Sequence, residues 1–203
     1  PLHFMFLNVA QIHQLKRWNT PTIANALEQV CTADPLTCVN RFTARDFMPE
    51  MGTMCGRAIT VEFATMDPRP KKDHPDNFAL MRDYLAQGDA PKIVVVRDRD
   101  QPQGAVAIWG EVGAWNARAL GCVGTITDGH IRDLDEMKGA GFKALARELA
   151  VSHGHGWPVA WGIPLEIFGC NVTPGHLVHA DKHGFIVIPP EAEERLLEAA
   201  RFM

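Results

Sequence analysis

The run Ile93-Val94-Val95-Val96 constrains this chain most. Consecutive β-branched apolar residues favour extended backbone and offer water no polar face, so the run reads as a buried strand. Its surroundings alternate. Asn77–Ala86 carries Phe78, Met81 and Leu85 on one helical side, and Gly88 stands where a helix-terminating glycine belongs. Ala105–Ile108 reads as a strand, Gly113–Leu120 as a short helix stopped by Gly121, and Cys122–Thr127 as another strand. Strands alternating with helices predict an α/β fold.

The flanks extend this pattern. Thr20-Pro21 predicts a helix start, with the Thr20 hydroxyl as cap, Pro21 at the first helical position, and Ile23, Leu27 and Val30 on one face. Ala58–Phe63 reads as a strand, and the proline- and charge-rich Asp67–Pro75 as an exposed loop with Lys71 and Lys72 at a solvated tip. Phe142–Ala150 has the composition of a helix, with a strand as the alternative. Pro158–Gly162, Leu165–Cys170, Leu177–Ala180 and Phe185–Ile188 read as strands. Thr173-Pro174-Gly175-His176 predicts a type II turn and Asp181–Gly184 a second turn. Pro189-Pro190 precedes a last helix bearing Leu196, Leu197 and Ala200. No repeat, low-complexity tract or linker divides the 203 residues. A single domain over 1–203 is expected, with an N-terminal helical extension (about 1–35) and a C-terminal helix (about 190–203).

Composition narrows the function. With 20 Lys plus Arg against 24 Asp plus Glu, the formal net charge is −4, which lacks the basic footprint of a nucleic-acid binder. No apolar run is long enough to span a bilayer, and the first residues lack a signal-peptide layout. Five cysteines (31, 38, 55, 122 and 170) include no C-x-x-C pair, as suits reduced, inert thiols. A cytoplasmic protein that binds neither nucleic acid nor membrane is expected.

The chemistry-bearing stretch is Gly121–Glu136. A buried strand ends at Thr127, Asp128-Gly129 reads as a tight turn, and Arg132 and Asp133 follow, with Glu136 three positions on. Loops after strands carry the sites of α/β proteins. An aspartate beside an arginine supplies a hard oxygen ligand for a divalent cation and a planar cation for a carboxylate or a developing enolate. Glu111 lies after the strand Ala105–Ile108, between Gly110 and Gly113, which permit close backbone approach to a ligand. Main-chain N–H groups at a helix start there suit a carboxylate. Locally, the same residues also read as an ordinary turn and a surface ion pair. Trp109 and Trp115 flank this loop as candidate pocket walls. The histidines at 153, 155, 176, 179 and 183 have spacings that raise zinc, but those at 176–183 span two turns and a strand, so spacing alone does not bring them together.

The segment GEVGAWNARALGCVGTITDGHIRDLDE resembles the signature of the RraA-like family, which includes 4-hydroxy-4-methyl-2-oxoglutarate/4-carboxy-4-hydroxy-2-oxoadipate aldolases, oxaloacetate decarboxylases and regulators of ribonuclease E. The family mark is an acidic residue, twenty intervening residues and Arg-Asp, met here by Glu111, Arg132 and Asp133. NVTPGHLVHADKHGFIVIP is similar to a second family block through Val172, Pro174, Gly175, Ala180, Asp181, Gly184 and Pro189. MCGRAITV and NTPTIANALE match more weakly.

The resemblance implies a swivelling β/β/α-type domain assembled as a homotrimer or hexamer, with sites at subunit interfaces. It implies a metal-dependent (class II) lyase that cleaves 4-hydroxy-2-oxo acids by retro-aldol chemistry, or decarboxylates oxaloacetate, giving pyruvate. Asp133 would ligate Mg²⁺ or Mn²⁺, with Glu136 reaching it through water. Arg132 would hold the keto oxygen and stabilise the enolate. Glu111 would act as acid/base through water, and the amides of Val112, Gly113 and Ala114 would grip the substrate carboxylate. The alternative the family offers is a non-catalytic regulator that binds a ribonuclease or another protein. Two departures stand out: His176 replaces the aspartate of the family's PGD, and the chain stops short of a C-terminal acid that some aldolases lend to a neighbour. Glu193, Glu194 and Glu198 are loose substitutes for it.

Overall fold

A computed structural model describes residues 6–89, 91–102 and 104–203; the first five residues of the expected N-terminal extension lie outside these. The chain opens with α1 (Val9–Leu15), α2 (Thr20–Val30) and the single turn α3 (Pro35–Cys38), then a short β1 (Arg45–Asp46) and the long β2 (Met54–Ala64). Next come α4 (Arg69–Asp73), α5 (Asn77–Leu85), β3 (Lys92–Asp98), β4 (Ala107–Trp109), α6 (Glu111–Ala119), β5 (Cys122–Ile131), α7 (Leu134–Gly139) and β6 (Lys143–Leu149). The last third holds β7 (Trp157–Trp161), β8 (Leu165–Ile167), β9 (Cys170–Val172), β10 (Leu177–Asp181), β11 (Gly184–Ile188) and α8 (Pro190–Arg201). The α/β reading is correct.

Nine strands form one sheet in the order β1-β6-β5-β3-β2-β10-β11, with β4 also paired to β5 and β7 to β2. The centre, β2-β3-β5-β6, is parallel. Alternate side chains of β3 serve opposite layers, as the two-residue strand period dictates. Val94 and Val96 pack with Met81, Leu85, Ala114, Ala117 and Met137 of α5, α6 and α7. Ile93 and Val95 pack with Leu165, Ile167, Cys170 and Val172 of the β8–β9 hairpin and with Val178 and Val187. A third cluster joins Ile12, Ile23, Leu27, Leu196 and Leu197 of α1, α2 and α8 to Leu177, Ile186 and Ile188 on β10 and β11.

Several local expectations change. The α2 cap is Asn19, whose side chain accepts the Thr22 N–H at 2.9 Å; the Thr20 hydroxyl instead meets His179 Nδ1 at 3.0 Å. Asp128-Gly129 is no turn. β5 runs through it to Ile131, with its register against β6 shifting between Thr127 and His130. A Cβ on Gly129 would stand 2.5 Å from Ile108 Cδ1, so glycine there leaves room for the Ile108 side chain of β4. Phe142–Ala150 resolves as β6, because a place in the parallel sheet overrides helix propensity. The loop 67–75 contains α4, α6 begins at Glu111 rather than Gly113, and Leu165–Cys170 is split by Phe168 and Gly169, both with positive φ. The 173–176 turn closes as expected, His176 N–H to Thr173 C=O at 3.1 Å with Gly175 at φ +86°.

Candidate active site

The strands β4 and β5 run side by side and parallel, and each feeds a helix at its carboxyl end. This brings Gly110-Glu111 and Arg132-Asp133 together across a sequence gap of two turns of helix and a strand. Arg132 N–H donates to Trp109 C=O at 3.0 Å, continuing the pairing past the strands. Asp133 then adopts a left-handed conformation (φ 56°, ψ 47°) as the residue before α7. Aspartate tolerates that region better than most residues. The bend turns its carboxylate back toward α6, where Oδ2 accepts the Glu111 N–H at 3.0 Å. Arg132 Nε lies 3.4 Å from the same oxygen, and its Nη1 donates to Val151 C=O at 3.1 Å. Gly110 makes the approach possible, since a Cβ there would sit 2.4 Å from Asp133 Oδ2 and 3.1 Å from Arg132 Cγ.

Gly110 precedes α6 without a side-chain cap. Of the first-turn amides, Glu111 N–H is taken by Asp133 and Ala114 N–H donates to Gly110 C=O at 3.0 Å. The Ala114 amide is therefore committed, and the expected carboxylate grip rests on Val112 and Gly113. The positive end of the α6 dipole favours an anion there.

These residues line a cleft of about 570 Å³. Glu111, Val112, Gly113, Arg132 and Asp133 are among its lining residues, and Glu136 is not: it stands exposed in the first turn of α7. Trp109 lines the cleft, whereas Trp115 is exposed outside it. The cleft also takes in Lys71, Phe78, Arg82 and Trp157, which no sequence motif assigns to a site, and His153 and His155, singled out above only for their zinc-like spacing. Lys71 is exposed, as expected, and also borders the cleft. Its ammonium lies 5.5 Å from the Trp157 ring centroid, a contact between residues far apart in sequence that leaves no local signature.

The remaining candidates fall elsewhere. His179 is fully buried, with Nε2 3.2 Å from Leu15 C=O. Burial pushes its pKa down to about 4, partly countered by the Leu15 carbonyl and Asp181, so it is neutral and donates to Leu15. His176, in the PGD position, is also lowered by burial and does not line the cleft. His183 pairs with Asp181 at 3.0 Å. Among the described residues no three His, Cys, Asp or Glu side chains converge as a metal cage, so the histidine spacings do not gather into one site. Glu193 is buried under Arg57, whose Nη1 donates to Oε2 at 2.7 Å, and it also accepts the Leu7 N–H at 2.7 Å. It is no stand-in for a site acid in its own chain. Burial raises Cys55 and Cys170 to about 12 and Cys122 to about 11, so these thiols are inert. No helix of the described residues is long and apolar enough to cross a membrane.

A single carboxylate, already tethered through Oδ2, cannot enclose a cation, so an ion held here would keep most of its first shell as water.

Comparison with known proteins agrees with this architecture. The chain is 26% identical over 173 residues, 84% of its length and 77% of the relative's, to a Halalkalibacterium halodurans protein named provisionally as a 4-hydroxy-4-methyl-2-oxoglutarate aldolase. It is 26% identical to an uncharacterized protein of Methanocaldococcus jannaschii over 54% of this chain, and the match spans about half (53%) of that protein's length. The solved structure of Streptomyces coelicolor RraAS2, described as an unusual member of the RNase ES inhibitor RraA protein family, superposes with a TM-score of 0.75 at 18% identity, covering 98% of this chain and 94% of that one. The sequence model for the RraA-like family (aldolase/RraA) matches residues 20–187, and with most of its length so matched, the chain belongs to that family.

Proposed function

We propose that this chain is a divalent-cation-dependent carbon–carbon lyase acting on 2-oxo acids, by retro-aldol cleavage of 4-hydroxy-2-oxo acids or decarboxylation of oxaloacetate. The observation that carries the reading is the corner formed by Arg132, Asp133 and the open amides of α6, with Gly110 leaving room for it. A relative named provisionally as an aldolase supports it.

A Mg²⁺ or Mn²⁺ held by Asp133 and water would supply Lewis-acid polarisation of the 2-oxo group. The chain's own residues do the rest. The Val112 and Gly113 amides hold the substrate carboxylate at the α6 N-terminus. The Arg132 guanidinium binds the keto oxygen and stabilises the charge that grows there as the bond breaks. Glu111 takes the 4-hydroxyl proton through a water molecule and returns a proton to the enolate carbon. We further propose a homotrimer or hexamer. Val112 and Trp115 on α6 and Leu149 and Val151 at and after the end of β6 are exposed apolar residues, Val151 at 92% and bonded through its C=O to Arg132, and exposed apolar residues in number favour burial against another chain.

The same surface favours a second reading, a regulator that binds a ribonuclease or other protein. Pyruvate release from oxaloacetate, 4-hydroxy-4-methyl-2-oxoglutarate and 4-carboxy-4-hydroxy-2-oxoadipate separates the two. Release that needs Mg²⁺ and is lost with EDTA and in Asp133→Asn supports the lyase. Absence of release and of cation binding, with capture of a protein partner that survives EDTA, supports the regulator.

A further inference from the structure

The cleft continues beyond the Arg132 corner, and its other walls carry a different set of groups. Phe78 and Trp157 meet edge to face, with centroids 4.6 Å apart, and Phe63 joins Phe78 at 5.9 Å. Trp157 is fixed by its indole N–H, which donates to His74 C=O at 3.0 Å. Lys71 stands over this ring at 5.5 Å, and Arg82, which also lines the cleft, is tethered through Nε to Phe78 C=O at 3.2 Å.

Charge is divided along this surface. The acidic residues that line the cleft are Glu111 and Asp133, linked through the Glu111 backbone N–H, which donates to Asp133 Oδ2. Lys71 and Arg82 line it too, and among the described residues neither is ion-paired to a carboxylate. Two cations on an aromatic wall suit a flat ring with an anionic end. A three-carbon oxo acid would fill only a part of about 570 Å³.

Resting on the lyase reading for the reacting end, we propose that the substrate is an elongated 2-oxo acid whose leaving fragment carries an aromatic ring and a distal carboxylate. The ring sits on Phe78 and Trp157, and Lys71 and Arg82 meet the carboxylate. In the retro-aldol step the 4-hydroxyl loses its proton to the Glu111-bound water. The C3–C4 bond breaks, its electron pair forms the enolate, and C4 becomes the carbonyl of an aromatic aldehyde. A proton returned to C3 completes pyruvate, so no oxidant or reductant is needed.

The test uses three uncleavable probes with Mg²⁺ in isothermal titration calorimetry: 2-oxobutanoate, 4-phenyl-2-oxobutanoate and 4-(4-carboxyphenyl)-2-oxobutanoate. We expect affinity to rise at each step, the last binding at least about tenfold more tightly than the phenyl compound. In the double variant Lys71→Met/Arg82→Met the ratio of carboxyphenyl to phenyl affinity falls to near one. Equal affinity for all three probes, or an unchanged ratio in the double variant, overturns the proposal. Cleavage of 4-hydroxy-4-(4-carboxyphenyl)-2-oxobutanoate is measured alongside. Graded probe binding without pyruvate from any substrate upholds the wall assignment and removes the lyase reading. Pyruvate from small substrates with ungraded binding does the reverse.

Discussion

The Asp133 carboxylate accepts the backbone N–H of Glu111 at 3.0 Å, so the junction after β5 and the first turn of α6 are locked together by one hydrogen bond. The proposed cation ligand and the proposed carboxylate grip are therefore positioned by each other, and a change at either moves both.

Gly110→Ala tests this lock directly. The new methyl carbon would meet Asp133 Oδ2 at 2.4 Å. That oxygen is the end of a partly exposed side chain and can swing away, so the fold survives while the corner opens. We expect a loss of roughly 100-fold in kcat/KM, with little change in circular dichroism or Tm.

Asp133→Asn and Arg132→Ala separate chemistry from folding. Asparagine accepts the left-handed conformation of position 133 and keeps an oxygen for the Glu111 N–H, but it carries no charge for a cation. Arg132 is 37% exposed, and its removal strands no buried charge. Both variants should unfold within about 0.5 kcal/mol of the parent in urea and release no pyruvate. Full activity in either would remove that residue from the site.

Asp128 gives a pH signature. Burial raises its carboxyl to about 6, helped by the neighbouring Asp98 and opposed by the Asp98 N–H and Arg147. The folded chain thus binds more protons than the unfolded one between about pH 4 and 6, and this group favours folding increasingly as pH falls through that window. Asp128→Asn keeps an acceptor for the Asp98 N–H, bonded at 2.8 Å. It should be more stable than the parent by up to about 3 kcal/mol above pH 6, with the advantage closing by pH 4. Urea midpoints at pH 8, 6 and 4 read it.

His179 acts in the opposite sense. It is held near 4 against an ordinary 6.5, so the unfolded chain binds the extra proton. Stability conferred by the neutral ring is lost as pH falls from 6.5 toward 4, by up to about 3 kcal/mol. His179→Gln should start lower at pH 7.5, through lost hydrogen bonds to Thr20 and Leu15, yet show a flatter decline with acid than the parent.

Glu193→Gln measures the closure of the two chain ends. It leaves Arg57 without a buried counter-charge and weakens the bond to Leu7. A cost of about 3 kcal/mol is expected, seen as a fall in Tm on the order of 10 °C, with kcat unchanged because α8 does not line the cleft. An unchanged Tm would contradict the ion pair.

The legible parts of the molecule were those fixed by local chemistry. Ile93–Val96 had to be a buried strand, Gly121 a helix stop and Pro174-Gly175 a turn, because backbone sterics and apolar burial decide them within a few residues. The Glu111, Arg132 and Asp133 trio was singled out by its resemblance to the family's signature, and parallel pairing of β4 with β5 is the physical reason that spacing brings them together. What sequence concealed depended on distant partners. Residues 142–150 became a strand because β5 offered an edge, Asn19 took the cap because Thr20 was drawn to His179, and Lys71 joined the cleft through Trp157.

The long strand β2 shares one edge between two antiparallel partners, β10 along its first half and β7 along its last. Both partners lie in the final quarter of the chain. While the protein emerges from the ribosome, that edge of β2 has no mate until residues 157–181 have been made, and its Val61 and Phe63 have no cover from β7. Unpaired apolar edges recruit other nascent chains. This domain therefore completes itself late, and its yield in a cell should depend on chaperone supply more than its finished stability suggests.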